Sequence, residues 1–235
     1  MLRRTLLCAN TNMSSAVIDF WFGGPAASLW GPRDVSKVAP MWYGMKSDFS
    51  GPASDADKAA ADAACREYID LIREAGKEGG LAEWEETDEG LYAKMLLCDQ
   101  LPRNAFRGSG EAFAYDGVGV KCARELVKRK AYEKFESMCY FSFLTTPGQH
   151  SEDVTLHDMN LGILDYVKGA EKFAGDRQVG MLEQYVKEHA DLCKRFGRYP
   201  WRNEAMGRES TEEEKAWLAD YDNLPSFAKS QMAKK

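Results

Sequence analysis

Apolar residues recur along most of this chain with helical spacing, and short polar segments rich in Gly and Pro separate the apolar stretches. Residues three or four positions apart lie on one face of a helix, so this spacing indicates amphipathic helices. It predicts eight helices, at about residues 14–22, 54–75, 91–100, 110–129, 131–144, 151–168, 178–196 and 211–224. No stretch of useful length alternates apolar and polar residues, and the predicted fold class is therefore all-α.

Local signals predict several helix ends. Thr211 and Glu214 have the spacing of a capping box, and Gly197 suits the left-handed position that follows a helix. Ser14 or Ser15 is available to cap the first helix. Residues 25–53 carry four prolines among aromatic residues, which predicts an irregular segment wrapped on the core.

The helices are joined by short segments, which predicts a single all-α domain at residues 14–225. Residues 1–13 are predicted to be an N-terminal extension or targeting segment. The start of the chain has two arginines, several hydroxyl side chains and no acid before Asp19, a weak mitochondrial-presequence composition. This predicts a mitochondrial location, with the cytoplasm as the alternative. Residues 226–235 are predicted to be a polar tail.

The overall charge narrows the classes of partner. The chain has 31 Lys and Arg residues against 37 Asp and Glu residues, a net charge of −6. Because phosphate binding needs a basic surface, this net charge disfavours nucleic acid as a general partner, and we predict none. No apolar run approaches the roughly 20 residues needed to span a bilayer, so no transmembrane segment is predicted. Six cysteines without a Cys-x-x-Cys pair are interpreted as reduced core thiols.

Two loops carry charge in a similar pattern, at Cys98–Ser109 and Arg195–Ser210. Each follows an apolar segment and contains Pro, an Arg-Asn pair and then Gly. Asp99 stands at the negative end of a predicted helix, where a carboxylate needs a cationic partner. The predicted binding residues, which include an acid between the loops, are Asp99, Arg103, Asn104, Arg107, Glu152, Arg198, Arg202, Asn203 and Arg208.

Two interpretations of these residues stay open. In the first, the arginines brace helix ends by binding carboxylates and orphan backbone carbonyls. In the second, the same arginines line a pocket for a small anionic ligand. Asn104 and Asn203 suit turn positions that need a left-handed backbone or a bond from the side chain to the backbone.

The segment His150-Ser-Glu-Asp153 is the second candidate site. Ser151 is predicted to cap a helix whose first turn holds Glu152 and Asp153, and Pro147 with Gly148 is predicted to break the helix before it. His150 with Asp153 would be the catalytic pair, if there is one, because a carboxylate beside an imidazole suits general acid–base work.

A metal site is the alternative for this segment, because His157 lies seven residues after His150. The chain has three histidines and no cysteine pair near them, so we predict no metal. No phosphate-binding loop, dinucleotide-binding fingerprint or nucleophile elbow occurs, and we predict no cofactor.

Several separated motifs carry a family resemblance. They are Val17-Ile-Asp-Phe-Trp-Phe-Gly23, Asp99-Gln-Leu-Pro-Arg-Asn-Ala-Phe-Arg-Gly108, Ala112-Phe-Ala-Tyr-Asp116, His150-Ser-Glu-Asp153 and the run from Arg195 to Arg208. In this order, they resemble a largely bacterial family catalogued as domain of unknown function 924. The resemblance covers residues 16–218 and implies an all-α fold similar to tetratricopeptide-type helical folds. The sequence itself shows no repeat of tetratricopeptide, ankyrin or HEAT length.

The resemblance implies no established activity, and the chain departs from the family at Trp201, where the family usually has His. It also departs after Asp153, where the family usually has a Gln-containing stretch and this chain has Leu156-His-Asp-Met-Asn160. A lost site histidine favours a scaffold over an enzyme. We therefore predict a non-catalytic helical scaffold or accessory subunit with protein partners. The alternative is a small-molecule hydrolase or anion-binding protein that uses the arginines with His150 and Asp153.

Overall fold

The computed structural model describes residues 13–44, 46, 50–204 and 206–231. No β-strand occurs in these ranges, which confirms the all-α prediction. The chain divides into two compact units, Met1–Pro147 and Gly148–Lys235. None of the helices in the described ranges is long and apolar enough to cross a membrane. The predicted extension at residues 1–13 lies outside the described residues apart from Met13.

The first unit is built from short helices. Its α-helices are α1 (residues 13–21), α2 (Ala39–Tyr43), α3 (Asp55–Arg66), α4 (Ile69–Gly76), α5 (Asp88–Asp99), α6 (Leu101–Ala105), α7 (Asp116–Lys128) and α8 (Met138–His150), whose last residues belong to the second unit. Turns of 3-10 helix occur at Val35–Val38, Ala82–Glu86, Gly110–Phe113 and Ala131–Lys134.

Helix α5 is the centre of the first unit. Every residue from Gly90 to Asp99 is buried, and α5 packs against α4 and α7. Gly119 of α7 lies so close to α5 that a β-carbon there would come within 3.0 Å of the Asp99 β-carbon. A glycine that disfavours a helix on local grounds is therefore used here for close packing.

The second unit contains α9 (Val154–Gly169), α10 (Arg177–Phe196), α11 (Glu212–Ala219) and α12 (Ser226–Gln231). Turns of 3-10 helix occur at Glu171–Phe173, Pro200–Arg202 and Tyr221–Asn223. Helices α9 and α10 pack against each other. A second apolar cluster joins the end of α10 to the residues that follow, and its buried members are Leu192, Cys193, Tyr199, Trp201 and Ala228.

The prediction of eight helices was wrong. The described residues form eleven α-helices with defined bounds, α2 to α12, in addition to the helical residues 13–21. The helix predicted at residues 54–75 is two helices, α3 and α4. The Tyr68 amide bonds the Cys65 carbonyl three residues earlier at 3.1 Å, a tighter turn that ends α3.

Other predicted helices also begin or end differently. Residues 110–129 and 131–144 each begin with a 3-10 turn that is separate from the α-helix after it. Pro102 does not end the helix predicted at residues 91–100. It lies in the first turn of α6, where a missing amide costs no hydrogen bond. Ser14 and Ser15 lie inside α1, so neither caps it. The irregular segment predicted at 25–53 contains helix α2 and a 3-10 turn.

Helix α8 continues through Pro147 and Gly148 to His150, although these two residues are predicted to break it. A proline inside a helix cannot donate to the carbonyl four residues earlier, which here belongs to Phe143. The hydroxyl group of Thr146 donates to that carbonyl at 2.8 Å. The acceptor left by the proline therefore has a partner, and the helix tolerates the proline.

The C-terminal segment differs from the predicted polar tail. Residues Ser226–Gln231 form α12, and Ala228 is fully buried. The ring of Phe227 stacks on that of His189, with the centroids 3.8 Å apart. Ala228 and Phe227 thus attach α12 to the apolar cluster of the second unit.

Candidate functional site

The loop after α10 presents Arg198 to the start of α11. Gly197 has a φ of 69°, the left-handed conformation predicted for it, and it ends α10. Arg198 Nε and Nη2 then lie 2.7 and 2.8 Å from the two carboxylate oxygens of Glu214. The predicted capping box of Thr211 and Glu214 is confirmed. One carboxylate thus binds the arginine and caps α11.

Glu214 is a buried, ionised acid, with 2% of its side chain exposed. Hydrogen bonds from Arg198 lower the pKa of Glu214 to about 2, against the effect of burial. Asn203 Nδ2 donates to Glu214 Oε2 at 3.2 Å and to Ser210 Oγ at 3.1 Å. The predicted site residues Arg198 and Asn203 therefore meet on a carboxylate of the protein itself.

Glu152 and Arg208 form a second pairing of predicted residues. Arg208 Nη1 and Nη2 lie 2.6 and 2.9 Å from Glu152 Oε2 and Oε1. The backbone amide of Tyr199 donates to Glu152 Oε1 at 2.9 Å. Burial acts to raise the pKa of Glu152, but these hydrogen bonds outweigh burial and hold the pKa below its usual value.

Arg202 binds a helix end. Its Nη1 donates to the carbonyl oxygen of His150 at 2.7 Å. His150 is the last residue of α8. The carbonyl groups of the last helical turn receive no hydrogen bond from an amide of the same helix, so they need another donor. The Arg202 guanidinium also lies 4.8 Å from the ring centre of Tyr199, a cation–π contact. Arg202 thus fits the interpretation of braced helix ends.

Tyr199 and His157 are both fully buried. The Tyr199 hydroxyl donates to the Gln149 carbonyl at 2.5 Å and lies 3.4 Å from His157 Nε2. His157 Nε2 also lies 3.0 Å from the Ser151 carbonyl, which can only accept, so Nε2 carries the hydrogen. Burial lowers the pKa of His157, and the ring is neutral at neutral pH.

His189 on α10 is a second buried histidine of this unit. Its Nδ1 donates to the Tyr185 carbonyl at 2.7 Å, a bond between residues one helical turn apart. Burial lowers the pKa of His189 to about 3. The imidazole therefore packs as a neutral ring between Phe227 and Tyr199.

Asp153 has a structural task in addition to any contact with His150. It is the N-cap of α9, and its Oδ1 accepts from the Thr155 amide at 2.9 Å. The prediction that Ser151 caps α9 was wrong. The Ser151 Oγ accepts from the Asp153 amide at 3.0 Å instead. The helix begins at Val154, so Glu152 lies before the first turn and is able to face Arg208.

In the first unit, Asp99 and Arg103 lie in one polar group. Asp99 is 1% exposed, and its Oδ2 accepts from Gln100 Nε2. Arg103 Nη2 lies 3.8 Å from Asp99 Oδ1 and 2.9 Å from Asp116. Arg103 Nη1 donates to the carbonyl of Ala112. The buried carboxylate at the end of α5 thus has the cationic partner that its position requires.

Arg107 and Asn104 form a separate group of the first unit with Asp62 of α3. Arg107 Nε and Nη2 lie 2.8 and 2.9 Å from the two oxygens of Asp62. Asn104 Oδ1 accepts from Arg107, and its Nδ2 donates to the Met41 carbonyl at 3.0 Å. Asn104 is helical and Asn203 has a φ of −58°, so neither takes the left-handed backbone that was one prediction for them.

Trp201 is a core residue of the second unit, with 8% of its surface exposed. Its ring stacks on Tyr199 with the centroids 4.6 Å apart and meets the edge of Phe227 at 5.6 Å. It also lies in the cluster that holds Leu192. A large apolar ring therefore fills this position, where the related sequences are expected to have histidine.

Each of the five predicted arginines contacts a carboxylate or a backbone carbonyl of its own unit. Such contacts stabilise loops and helix ends, and they use some of the donors that an anion would need. In the described part of the chain, no group of three or more His, Cys, Asp or Glu residues is arranged to hold a metal ion. Two surface cavities of the described residues are lined by other residues.

Sequence reasoning missed most of the partners. Asp62, Asp116, Tyr199 and His189 are absent from the predicted site, and Glu214 is predicted only as a capping residue. The run Arg-Tyr-Pro around Tyr199 was the available signal for that residue, because a tyrosine needs a partner for its hydroxyl when it is buried.

Comparison with known proteins gives the family and no activity. The family model described as "Bacterial protein of unknown function (DUF924)" matches residues 17–222, so the chain belongs to this family and the resemblance is confirmed. No curated protein matches the chain significantly. A solved structure of a protein of unknown function from Agrobacterium tumefaciens is similar, with a TM-score of 0.66 and 26% sequence identity. The similarity covers 90% of this chain and 99% of that protein.

Proposed function

We propose that this member of the DUF924 family is a non-catalytic helical scaffold or accessory subunit that acts through contacts with other proteins. One observation carries the proposal: the arginines that most resemble a binding site contact carboxylates or backbone carbonyls of their own unit. Arg198 with Glu214, Arg208 with Glu152 and Arg107 with Asp62 are the strongest examples, because all three are two-point contacts.

The same pairings disfavour a pocket for a small anion. An anion at Arg208 or Arg198 would have to displace a carboxylate that is already bonded at 2.6–2.9 Å. It would also lie beside Glu152 or Glu214, and like charges at such a distance repel. The hydrolase alternative relies on His150 with Asp153. Asp153 is already used as the N-cap of α9, where its Oδ1 accepts from the Thr155 amide at 2.9 Å and from the Thr155 hydroxyl at 2.8 Å. This capping role competes with the orientation of an imidazole that acid–base work would need.

Trp201 supports the same proposal. The ring is packed in the apolar cluster of the second unit, so the position serves the stability of the fold in this chain. If the histidine expected at this position in the family performed acid–base chemistry, Trp201 would abolish that chemistry in this chain. A scaffold would tolerate the replacement.

The tetratricopeptide-like arrangement implied by the family resemblance would suit this role, because stacked helix pairs present extended binding surfaces. The mitochondrial location is a separate part of the proposal and rests on the composition of the first residues alone. Fractionation of cells that express the full chain with a C-terminal tag would test it.

The size of the protein in a native extract of its own cells tests the proposal. The chain has a mass of 26.4 kDa, and a scaffold or subunit is expected to migrate well above this mass and with other proteins. The purified recombinant chain in the same buffer is the control for self-association. Migration of the cellular protein as a free monomer would argue strongly against the proposal. A rise in melting temperature with phosphate or small carboxylates would favour the anion-binding alternative instead.

A further inference from the structure

The second unit has an open groove between helix α10 and the residues before and within α12. Its volume is about 580 Å³, within the range of roughly 300–1,000 Å³ that is usual for specific binding clefts. The groove is lined on one side by Glu188, Asp191 and Leu192, and on the other by Leu224, Pro225 and Lys229. We call it the α10–α12 groove.

The floor of the α10–α12 groove is apolar. Leu192 is 8% exposed and Leu224 is 4% exposed, so both belong to the body of the unit and present only a small surface. Pro225 continues this surface. Because the two leucines expose so little surface, an aliphatic side chain of a bound segment would gain mainly by removing its own apolar surface from water.

One wall of the groove carries two acidic side chains, Glu188 and Asp191. Glu188 and Asp191 are three residues apart on α10 and therefore lie on the same face. Glu188 accepts a hydrogen bond from the neutral side chain of Gln184 at 2.8 Å. Across the described ranges, neither carboxylate is within ion-pair distance of a Lys or Arg. Two lysines reduce this negative charge. Lys187, one turn before Asp191, interacts with it electrostatically, although its Nζ is bonded to Glu183 at 2.6 Å. Lys229 lies on the other wall, where its Nζ donates to the Asp222 carbonyl at 2.8 Å and lies over the ring of Tyr221.

Two exposed apolar side chains extend the same surface. Met181 is 54% exposed and lies two turns before Glu188, with Gln184 between them, on one face of α10. Tyr221 is 50% exposed and lies two residues before Asn223, which lines the groove. Met and Tyr are enriched at protein interfaces, because they bury much area with few polar atoms to satisfy.

We propose that the α10–α12 groove binds a basic segment of a partner protein, with Lys or Arg side chains on Glu188 and Asp191 and an aliphatic side chain on Leu192 and Leu224. Charge complementarity selects this occupant. The wall offers two carboxylates that form no ion pair across the described ranges. The whole chain carries a net charge of −6, which attracts a basic partner and repels an acidic one. The inference rests on the proposed function and adds the surface and the chemistry of the partner.

Peptide binding to the full chain is the direct test. The probe is a short fluorescein-labelled peptide of alternating Lys and Leu, and the matched peptide has Glu in place of Lys. We expect the basic peptide to raise fluorescence anisotropy on addition of the protein and the acidic peptide to leave it unchanged. No binding of the basic peptide, or equal binding of both peptides, would overturn the proposal.

Matched variants then locate the site. The double substitution Glu188→Lys with Asp191→Lys should weaken binding of the basic peptide by at least about ten-fold, since two charge contacts become repulsive. The control, Asp158→Lys with Asp165→Lys, changes the net charge equally at exposed positions of α9 outside the groove, and it should leave binding within about two-fold. Equal losses in the two double variants would show a general charge effect and refute the groove.

A milder pair guards against loss of folding. Glu188→Gln with Asp191→Asn keeps the shape of both side chains and should still weaken binding by several-fold, with an unchanged thermal melt.

The native size of the cellular protein distinguishes the scaffold proposal from the groove proposal. If the cellular protein migrates in a large complex that Glu188→Lys with Asp191→Lys leaves intact, the scaffold proposal stands and the groove proposal fails. If the wild-type cellular protein is a monomer while the peptide results hold, the scaffold proposal fails alone.

Discussion

Arg208 and Glu152 form a two-point ion pair that joins the loop after α10 to the segment just before α9. The two residues are 56 positions apart in the chain. Tyr199 contributes its backbone amide to the same carboxylate and its hydroxyl to the Gln149 carbonyl. Together these bonds hold two of the family motifs in one arrangement, and the stability of the second unit should depend on them.

Removal of this carboxylate should destabilise the protein strongly. We expect Glu152→Ala to lower the free energy of unfolding by about 2 kcal/mol, because it leaves Arg208 and the Tyr199 amide without their acceptor in a site only a quarter exposed. Urea unfolding followed by circular dichroism measures the change. The control is Glu213→Ala, which removes the exposed pair of Glu213 with Arg195 and should cost less than about 1 kcal/mol.

A double-mutant cycle with Arg208→Ala should show that the effect belongs to the pair. We expect the double variant to be about as stable as Glu152→Ala alone, which corresponds to a coupling energy of at least about 1 kcal/mol. Additive losses in the cycle, or a Glu152→Ala variant as stable as Glu213→Ala, would contradict the structural role assigned to this pair.

Acid should destabilise the protein through His189. The folded pKa of about 3 is below the unfolded value of 6.5, so stability from the neutral ring is complete above pH 6.5 and falls as the pH decreases towards 3. Between pH 7 and pH 5 the unfolded state takes up a proton that the folded state does not, which costs about 2 kcal/mol. Urea unfolding at both pH values should show this loss.

His189→Gln tests the assignment, because glutamine keeps a hydrogen-bond donor and does not titrate. The variant should lose about 2 kcal/mol less than the wild type between pH 7 and pH 5. Part of the acid sensitivity will remain, since burial also lowers the pKa of His157. An unchanged pH dependence in the variant would show that His189 is not the group responsible.

Arg198 should control the ionisation of Glu214. The folded pKa of about 2 lies below the ordinary value of 4.5, so the stabilisation is complete above pH 4.5 and is lost as the pH falls through 2. Substitution of Arg198→Met removes the largest cause and should move the pKa of Glu214 upwards. Side-chain carboxyl titration by NMR measures it, and an unchanged pKa in the variant would contradict the pairing.

Thr146 should allow α8 to continue past Pro147. Substitution of Thr146→Val keeps the shape of the side chain but removes the donor to the Phe143 carbonyl and the acceptor for Gln100 at 3.0 Å. We expect a loss of about 1–2 kcal/mol in the free energy of unfolding. Thr146→Ser keeps the hydroxyl and should remain closer to the wild type. Equal losses in the two variants would show that the hydroxyl does not matter.

Helix ends with their own local chemistry were the most predictable part of the fold. The Thr211 and Glu214 capping box and the left-handed Gly197 were predicted from neighbouring residues alone, because each bond closes within a few positions of the chain. Pro147 misled the prediction for the opposite reason. A proline breaks a helix unless a particular side chain satisfies the freed carbonyl, and spacing does not reveal that Thr146 does so.

The candidate site also has a part that the sequence predicted and a part that it did not. The sequence indicated that Asp99 needed a cationic partner and that the arginines could bind carboxylates or backbone carbonyls at helix ends. It did not indicate that Arg107 meets Asp62, 45 residues earlier, or that Arg198 meets the capping residue Glu214. Several acids in the chain could have satisfied each arginine equally well on local grounds.

The sequence by itself determined the helical class, the family and the residues that carry unusual charge. Only the tertiary structure shows which carboxylate or carbonyl stands within about 3 Å of each guanidinium, and these contacts support our proposal of braced loops. The same holds for Trp201, whose burial beside Tyr199 depends on the packing of the residues that follow α10. Helical periodicity and caps act over a few residues, whereas ion pairs and packing join residues that only the folded chain brings together.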